Sequence, residues 1–202
     1  MARTPEQNAA LRAATRETIL GGAVRVFARR GFAATAIRDI AEETGLSTGS
    51  IYRHYDSKEA LHTELLDQGV AGLADLATEL AGPGRPLDLV TAFTRRYLSG
   101  VLADDGAAEF VVVLDHAVTV DSPPGTRARL LVAHRAMWRS FEDLVRRGQD
   151  SGGFGTGDPA RLTTCFFATL GGLTSMRLAL RGEFTAPDAA TVLRILTEGR
   201  DT

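Results

Sequence analysis

Thr48, Gly49, Ser50, Tyr52 and His54 fall within the short run TGSIYRH and offer two hydroxyls, a bare stretch of backbone and two aromatic hydrogen-bonding groups. No nucleophile motif is among them, so the chemistry they suit is recognition. Hydroxyls and backbone amides bond phosphates or base edges, Gly49 permits close approach, and Tyr52 combines a hydroxyl contact with packing on a sugar or a thymine methyl. A few residues on stands Lys58, the single lysine among 23 basic residues. At the start of a helix its charge is disfavoured by the helix dipole unless an anion lies nearby, and a phosphate would supply one.

These residues need a frame, and the stretch from Thr35 to Lys58 supplies it. Thr35 is placed to cap a helix whose Ile37, Ile40 and Ala41 share one apolar face. Gly45 allows the left-handed turn that ends it, Leu46 plugs the joint, and Ser47 caps a second helix at once. In that second helix, expected over Thr48 to His54, Ile51 points inward and the polar residues point out. Ser57 then caps a third helix. Two short helices joined by so tight a turn follow helix-turn-helix grammar.

Phe27, Gly31, Phe32, Thr35, Ile40, Ala41, Gly45, Leu46, Ser47, Ile51, Tyr52, Tyr55, Lys58, Glu59 and Leu61, in this order and spacing, resemble the tetracycline-repressor (TetR) family of bacterial transcription regulators. The specific likeness covers about the first third of the chain; beyond it only a helical layout and loose apolar patterning are shared. Tyr55 stands where the family often has phenylalanine, a conservative exchange on a buried side. The resemblance implies an all-α fold of about nine helices, with a three-helix DNA-binding domain over residues 1–58, continuing into a linking helix, and a helical effector-binding and dimerisation domain over 59–202. It implies that Thr48, Gly49 and Ser50 face DNA, that Tyr52, His54 and Lys58 meet mainly its backbone, and that Arg38 reaches a base or phosphate, with Thr35 and Ser47 at the edge of this face. It also implies a ligand cavity among the C-terminal helices and a homodimer through the last two.

Charge agrees with that division. Residues 1–58 hold nine basic against six acidic residues, while the whole chain carries a formal −2, so the remainder is at −5. A DNA-reading segment attached to one that avoids the polyanion would be charged in this way. With 202 residues, 44% of them hydrophobic, the chain can bury one or two cores. One cysteine, Cys165, excludes an intrachain disulfide and a cysteine-based metal site and suits a reducing cytosol. The polar N-terminus does not read as a signal peptide, and no apolar run approaches a membrane span, so a cytoplasmic protein is expected.

Periodicity and punctuation lay out the rest. Residues up to about Asn8 read as a loose polar tail, with Arg3 and Arg12 available as a minor-groove arm. A helix from about Ala10 to Arg30 buries Ile19, Ala23, Val26 and Phe27. From Lys58 a helix runs to about Ala81, where Gly82-Pro83-Gly84 breaks it, and it is the natural lever between the two cores. Helices follow from about Pro86 to Leu102, around Glu109 to Val118, from Thr126 to Arg147, from Pro159 to Arg181 and from Ala189 to Glu198. The β-branched run after Glu109 is assigned to a helix because a lone strand would have no partner to pair with.

Other chemistries find little support. Gly155-Thr-Gly157-Asp-Pro matches a dinucleotide fingerprint only superficially, since no strand precedes it and Asp158-Pro159 reads as a helix cap. Asp115, His116 and His134 lack metal-ligand spacing, Cys165 reads as a small core residue, and no catalytic constellation or cofactor motif is present. The aromatic set Phe93, Tyr97, Phe110, Trp138, Phe141 and Phe166, with Leu114, His134 and Met137, is the trace of a pocket for a small apolar or amphipathic effector, although aromatics at helical spacing are commonly core. The expected function is therefore a non-enzymatic, dimeric DNA-binding regulator, a repressor released from a palindromic operator by an organic effector. Alternatives are a DNA-binding regulator with no small-molecule effector, and a helical ligand-binding protein or enzyme.

Overall fold

The computed structural model describes residues 4–103 and 105–198, and all regular structure among them is helical. The helices are α1 (Pro5–Arg30), α2 (Ile37–Thr44), α3 (Thr48–Tyr52), α4 (Lys58–Ala81), α5 (Pro86–Leu102), α6 (Ala107–Val120), α7 (Thr126–Asp150), α8 (Pro159–Leu180) and α9 (Ala189–Thr197), with a 3-10 turn at Arg181–Glu183.

Local chemistry explains most of the boundaries. Gly45 takes the left-handed conformation (φ 68°) that ends α2, and the Ser47, Ser57 and Asp158 side chains accept bonds from the first turns of α3, α4 and α8. Four expectations need correction. The presumed tail is helical from Pro5, because Thr4 Oγ1 accepts from the Gln7 amide at 3.2 Å while Gln7 Oε1 accepts from the Thr4 amide at 3.0 Å. The cap of α2 is Ala36, not Thr35; the Asp39 carboxylate accepts from the Ala36 amide at 2.7 Å, while the Thr35 hydroxyl bonds elsewhere. And α3 stops at Tyr52, two residues short of His54, while α7 continues three residues beyond Arg147 to Asp150.

Two main cores organise the chain. The first joins Ile19, Ala23, Val26 and Phe27 of α1 with Ile37, Ile40 and Ala41 of α2, Ile51 of α3, Tyr55, and Leu61 and Leu65 of α4; Val113 of α6 closes it. The second joins Leu80, Val90, Phe93, Phe141, Leu144, Val145, Phe166, Leu170 and Leu196 from α4, α5, α7, α8 and α9. Helix α4 thus begins in one core and ends in the other. Its last carbonyls, at Leu80 and Gly82, accept from the Arg147 guanidinium of α7, which places a cation at the negative end of the helix dipole.

Candidate nucleic-acid interface and ligand cavity

Helix α3 is held by one fully buried side chain, Ile51, and by the Ser47 hydroxyl accepting from the Ser50 amide at 3.1 Å. This anchoring leaves Thr48 and Gly49 exposed and Tyr52 53% exposed, with Ser50 and His54 half-buried at the flank. Gly49 has no steric or conformational reason inside the chain to be glycine: its φ is not positive, and a Cβ there would meet only Ser47 Oγ, at 4.0 Å. Beside α3 a polar groove of about 690 Å³ opens toward the N-terminal half of α1, lined by Leu11, Arg12, Thr15, Arg16, Ser50, Arg53 and His54.

The basic residues divide into two groups. Arg25 and Arg29 both grip Glu43, Arg30 pairs with Asp39 at 2.8 Å, and Arg16 pairs with Glu64 and donates to Tyr55 Oη at 3.1 Å. These guanidinium groups hold the carboxyls of Glu43 and Asp39 below their ordinary range, at Asp39 secondarily to the bond from the Ala36 amide. Arg12, Arg38 and Arg53 are exposed and have no ion-pair partner among the described residues. Two of these three charges therefore border the α3 groove. Arg53 was hidden in the sequence because its place at the end of α3 depends on where that helix stops; Arg3 lies outside the described residues.

Thr35 and Lys58 both make hydrogen bonds within the chain. The Thr35 hydroxyl is buried and donates to Gly31 O at 2.7 Å. Lys58 Nζ donates to Phe32 O at 2.8 Å and Thr35 O at 2.7 Å and lies 4.3 Å from the Phe32 ring centre. Within the chain, Lys58 finds hydrogen-bond acceptors in neutral carbonyl oxygens of the α1–α2 connection. Below it His62, 2% exposed, lies edge-on to Phe27 at 5.2 Å and 4.5 Å from Phe32, its Nδ1 without a hydrogen-bond partner; burial and the nearby Lys58 charge lower its pKa to about 4.

A cavity of about 400 Å³ lies between α4, α5, α6, α7 and α8. Of the effector residues expected, Phe93, Tyr97, Leu114, His134, Met137 and Trp138 line it. Phe110 does not, because it packs against the first core, and Phe141 and Phe166 do not, because they stack 4.7 Å apart, fully buried, at the centre of the second. The wall is completed by Leu73, Leu76, Val111, Thr164, Phe167, Ala168, Leu170 and Gly171, and by Asp115. Asp115 and His134 come to one cavity, whereas His116 turns to the other side of α6, against Gly31. Burial raises the Asp115 carboxyl and lowers the His134 imidazole, each effect partly offset by the charge of the other. Such a cavity, apolar with few polar groups, has the size of small-molecule sites.

The profile of the bacterial regulatory proteins of the tetR family matches residues 19–65, which contain α2, α3 and the parts of α1 and α4 that enclose them. The transcriptional regulator Mb3439c of Mycobacterium bovis is 31% identical over 159 residues, covering 72% of this chain and 82% of that protein. The chain belongs to the TetR family. Three other curated relatives match over a smaller part, the chain spanning 16%, 30% and 54% of their lengths. Among solved structures, the MbdR regulator of Azoarcus sp. CIB superposes with a TM-score of 0.73 at 25% identity, covering 92% of this chain and 98% of that one. AibR in complex with isovaleryl coenzyme A and operator DNA shares the fold at a TM-score of 0.63 and 17% identity, covering 88% and 92%. TetR proteins are transcriptional regulators and not enzymes.

Proposed function

We propose that this TetR-family chain is a dimeric, operator-binding transcriptional repressor that a small organic effector releases from DNA. The observation that carries the reading is the exposed hydroxyl and glycine face of α3, bordered by Arg12 and Arg53, which have no ion-pair partner among the described residues. Phosphate contacts from the arginines would fix the docking, while Thr48, Ser50 and Tyr52 meet base edges and sugars in the major groove. The DNA-binding unit comprises residues 1–58 and the first turns of α4, the remainder being the effector and dimerisation domain, and the protein works in the cytoplasm. No helix among the described residues is long and apolar enough to cross a membrane.

Dimerisation through α8 and α9 is supported by the outer face of α8, where Leu162 to Met176 contains no charged residue although Cys165, Gly172, Ser175 and Met176 are exposed. Two-fold pairing would present two α3 helices to successive major grooves. The effector version is favoured over an effector-free regulator by the cavity itself. Helix α6 gives Val111, Leu114 and Asp115 to that cavity, and its other side, through Val113, His116 and Ala117, lines a second space with Phe27, Gly31 and Phe32 of the first core. A ligand that shifts α6 therefore acts on the DNA-binding unit directly, alongside α4.

Selection of bound sequences from a random DNA pool by the purified protein, at near-physiological salt, tests the reading. Enrichment of a palindrome with half-site centres about 34–36 Å apart is expected. Salt-labile binding without enrichment would overturn it.

A further inference from the structure

The cavity holds one ionisable pair in otherwise apolar walls. Tyr97 Oη is already bonded to Thr174 Oγ1 at 2.7 Å and Thr164 Oγ1 donates to its own helix at Ala160 O, so neither hydroxyl donor is free for a ligand. Asp115 differs: its carboxylate has no hydrogen bond and no ion pair among the described residues. On the facing helix, His134 Nε2 is buried and also has no hydrogen-bond partner. Around them runs an arc of aromatic rings, Tyr97 to Phe93 at 6.1 Å, Phe93 to Phe167 at 6.3 Å and Phe167 to Trp138 at 6.4 Å.

Resting on the cavity being the effector site, we infer that the ligand is a lipophilic amine, bound as its ammonium ion, with an apolar or aromatic body against the ring arc and one N–H donated to Asp115 and another to His134 Nε2. Asp115 is exposed at the cavity wall with no partner in the chain, and an ammonium ion there gains a charge-assisted bond, which is stronger than a neutral one. The faces of Trp138, Tyr97 and the phenylalanines favour a cation further. An acid would be repelled by Asp115, and a neutral molecule would gain no charge-assisted bond from it. A neutral imidazole, the form that burial favours at His134, is the one that accepts an N–H.

Trp138 is the only tryptophan, and it lines the cavity, so its fluorescence reports binding at this place. The full-length protein would be titrated with three probes of one skeleton: 4-phenylbutylamine, 4-phenylbutanol and 4-phenylbutyrate. We expect the amine to bind about tenfold or more tightly than the other two, the ratio that one charge-assisted hydrogen bond supplies. Asp115→Asn should bring the amine to within about threefold of the alcohol while leaving the alcohol unchanged, a loss of most of that same bond. His134→Phe should weaken the amine more than the alcohol. Equal or tighter binding of the alcohol or the acid, or an amine preference that survives Asp115→Asn, overturns the ligand class and leaves the cavity as an effector site for another one. No change in Trp138 fluorescence with any of the three overturns the ligand class and the effector-site reading together.

Discussion

At the scale of single residues, His62 makes the DNA-binding core sensitive to acid. Its neutral ring is packed between Phe27 and Phe32, and its pKa of about 4 lies below the ordinary 6.5 chiefly through burial, with Lys58 adding to it. The unfolded chain therefore binds the proton first. Stability that is complete above about pH 6.5 is lost as the pH falls toward 4, by roughly 3 kcal/mol at the limit. The carboxyls of Asp39 and Glu43 are lowered, so their contribution begins to be lost as the pH falls into the ordinary carboxylate range, where the unfolded chain takes up protons, and is gone only below it. In unfolding titrations, His62→Leu should reduce the stability lost between pH 7 and pH 5 relative to the wild type. Lys58 gives a second prediction. Because its ammonium serves the carbonyls of Phe32 and Thr35, Lys58→Met should lower stability by about 1–3 kcal/mol without DNA present, read by denaturant unfolding. Unchanged stability would mean that these bonds do not hold in solution. Lys58 stood out in the sequence as a cation that needed a partner, but carbonyls 23 and 26 residues away converge on it only in the folded chain.

At the scale of elements, α3 is short, exposed and carries a glycine that nothing in the chain requires. Gly49→Ala should therefore stabilise the free protein by about 0.5–1 kcal/mol, as an alanine does within a helix. The same change should weaken operator binding, because the added methyl would stand where DNA must approach. Stability gained without loss of affinity, measured by unfolding and by titration of the selected operator, would remove Gly49 from the interface. The opposite case is Gly22 of α1, where a Cβ would overlap the Thr44 side chain of α2; Gly22→Ala should cost about 1–3 kcal/mol by forcing these helices apart. Elements were the most legible level of the sequence. Gly45, Ser47, Ser57, Gly82 and Asp158-Pro159 mark helix ends by chemistry that acts within a few residues. Thr35 misled because a threonine is a good cap wherever a helix starts, and only the reach of Asp39 decides that the start is one residue later. Phe141 and Phe166 misled for another reason: periodicity tells which side of a helix is apolar, and that side was divided between solid core and cavity wall by neighbours far along the chain.

At the scale of the whole molecule, the two functions meet where helices approach without side chains between them. Gly69 of α4 lies under Leu114 of α6, and a Cβ there would overlap that side chain. Leu114 also lines the cavity, so Gly69→Ala should push it into the ligand's space and lower effector affinity while leaving Tyr52 and the α3 face in place. The proposed operator binding requires paired subunits, since one α3 would make too few base contacts for a typical operator. Gly172 is the point at which to break that pairing. It is exposed on the uncharged face of α8, and a Cβ there would meet nothing within 4 Å, so a larger side chain is compatible with the folded subunit. Gly172→Arg would set a charge from each subunit into a shared apolar interface, where an unpaired cation is costly. The variant is expected to sediment as a monomer, to keep the wild-type response of Trp138 to cavity ligands, and to lose the palindromic operator while retaining salt-sensitive background binding. A variant that stays dimeric with unchanged operator affinity would mean that the subunits pair through another surface, and the uncharged run from Leu162 to Met176 would then need a different partner.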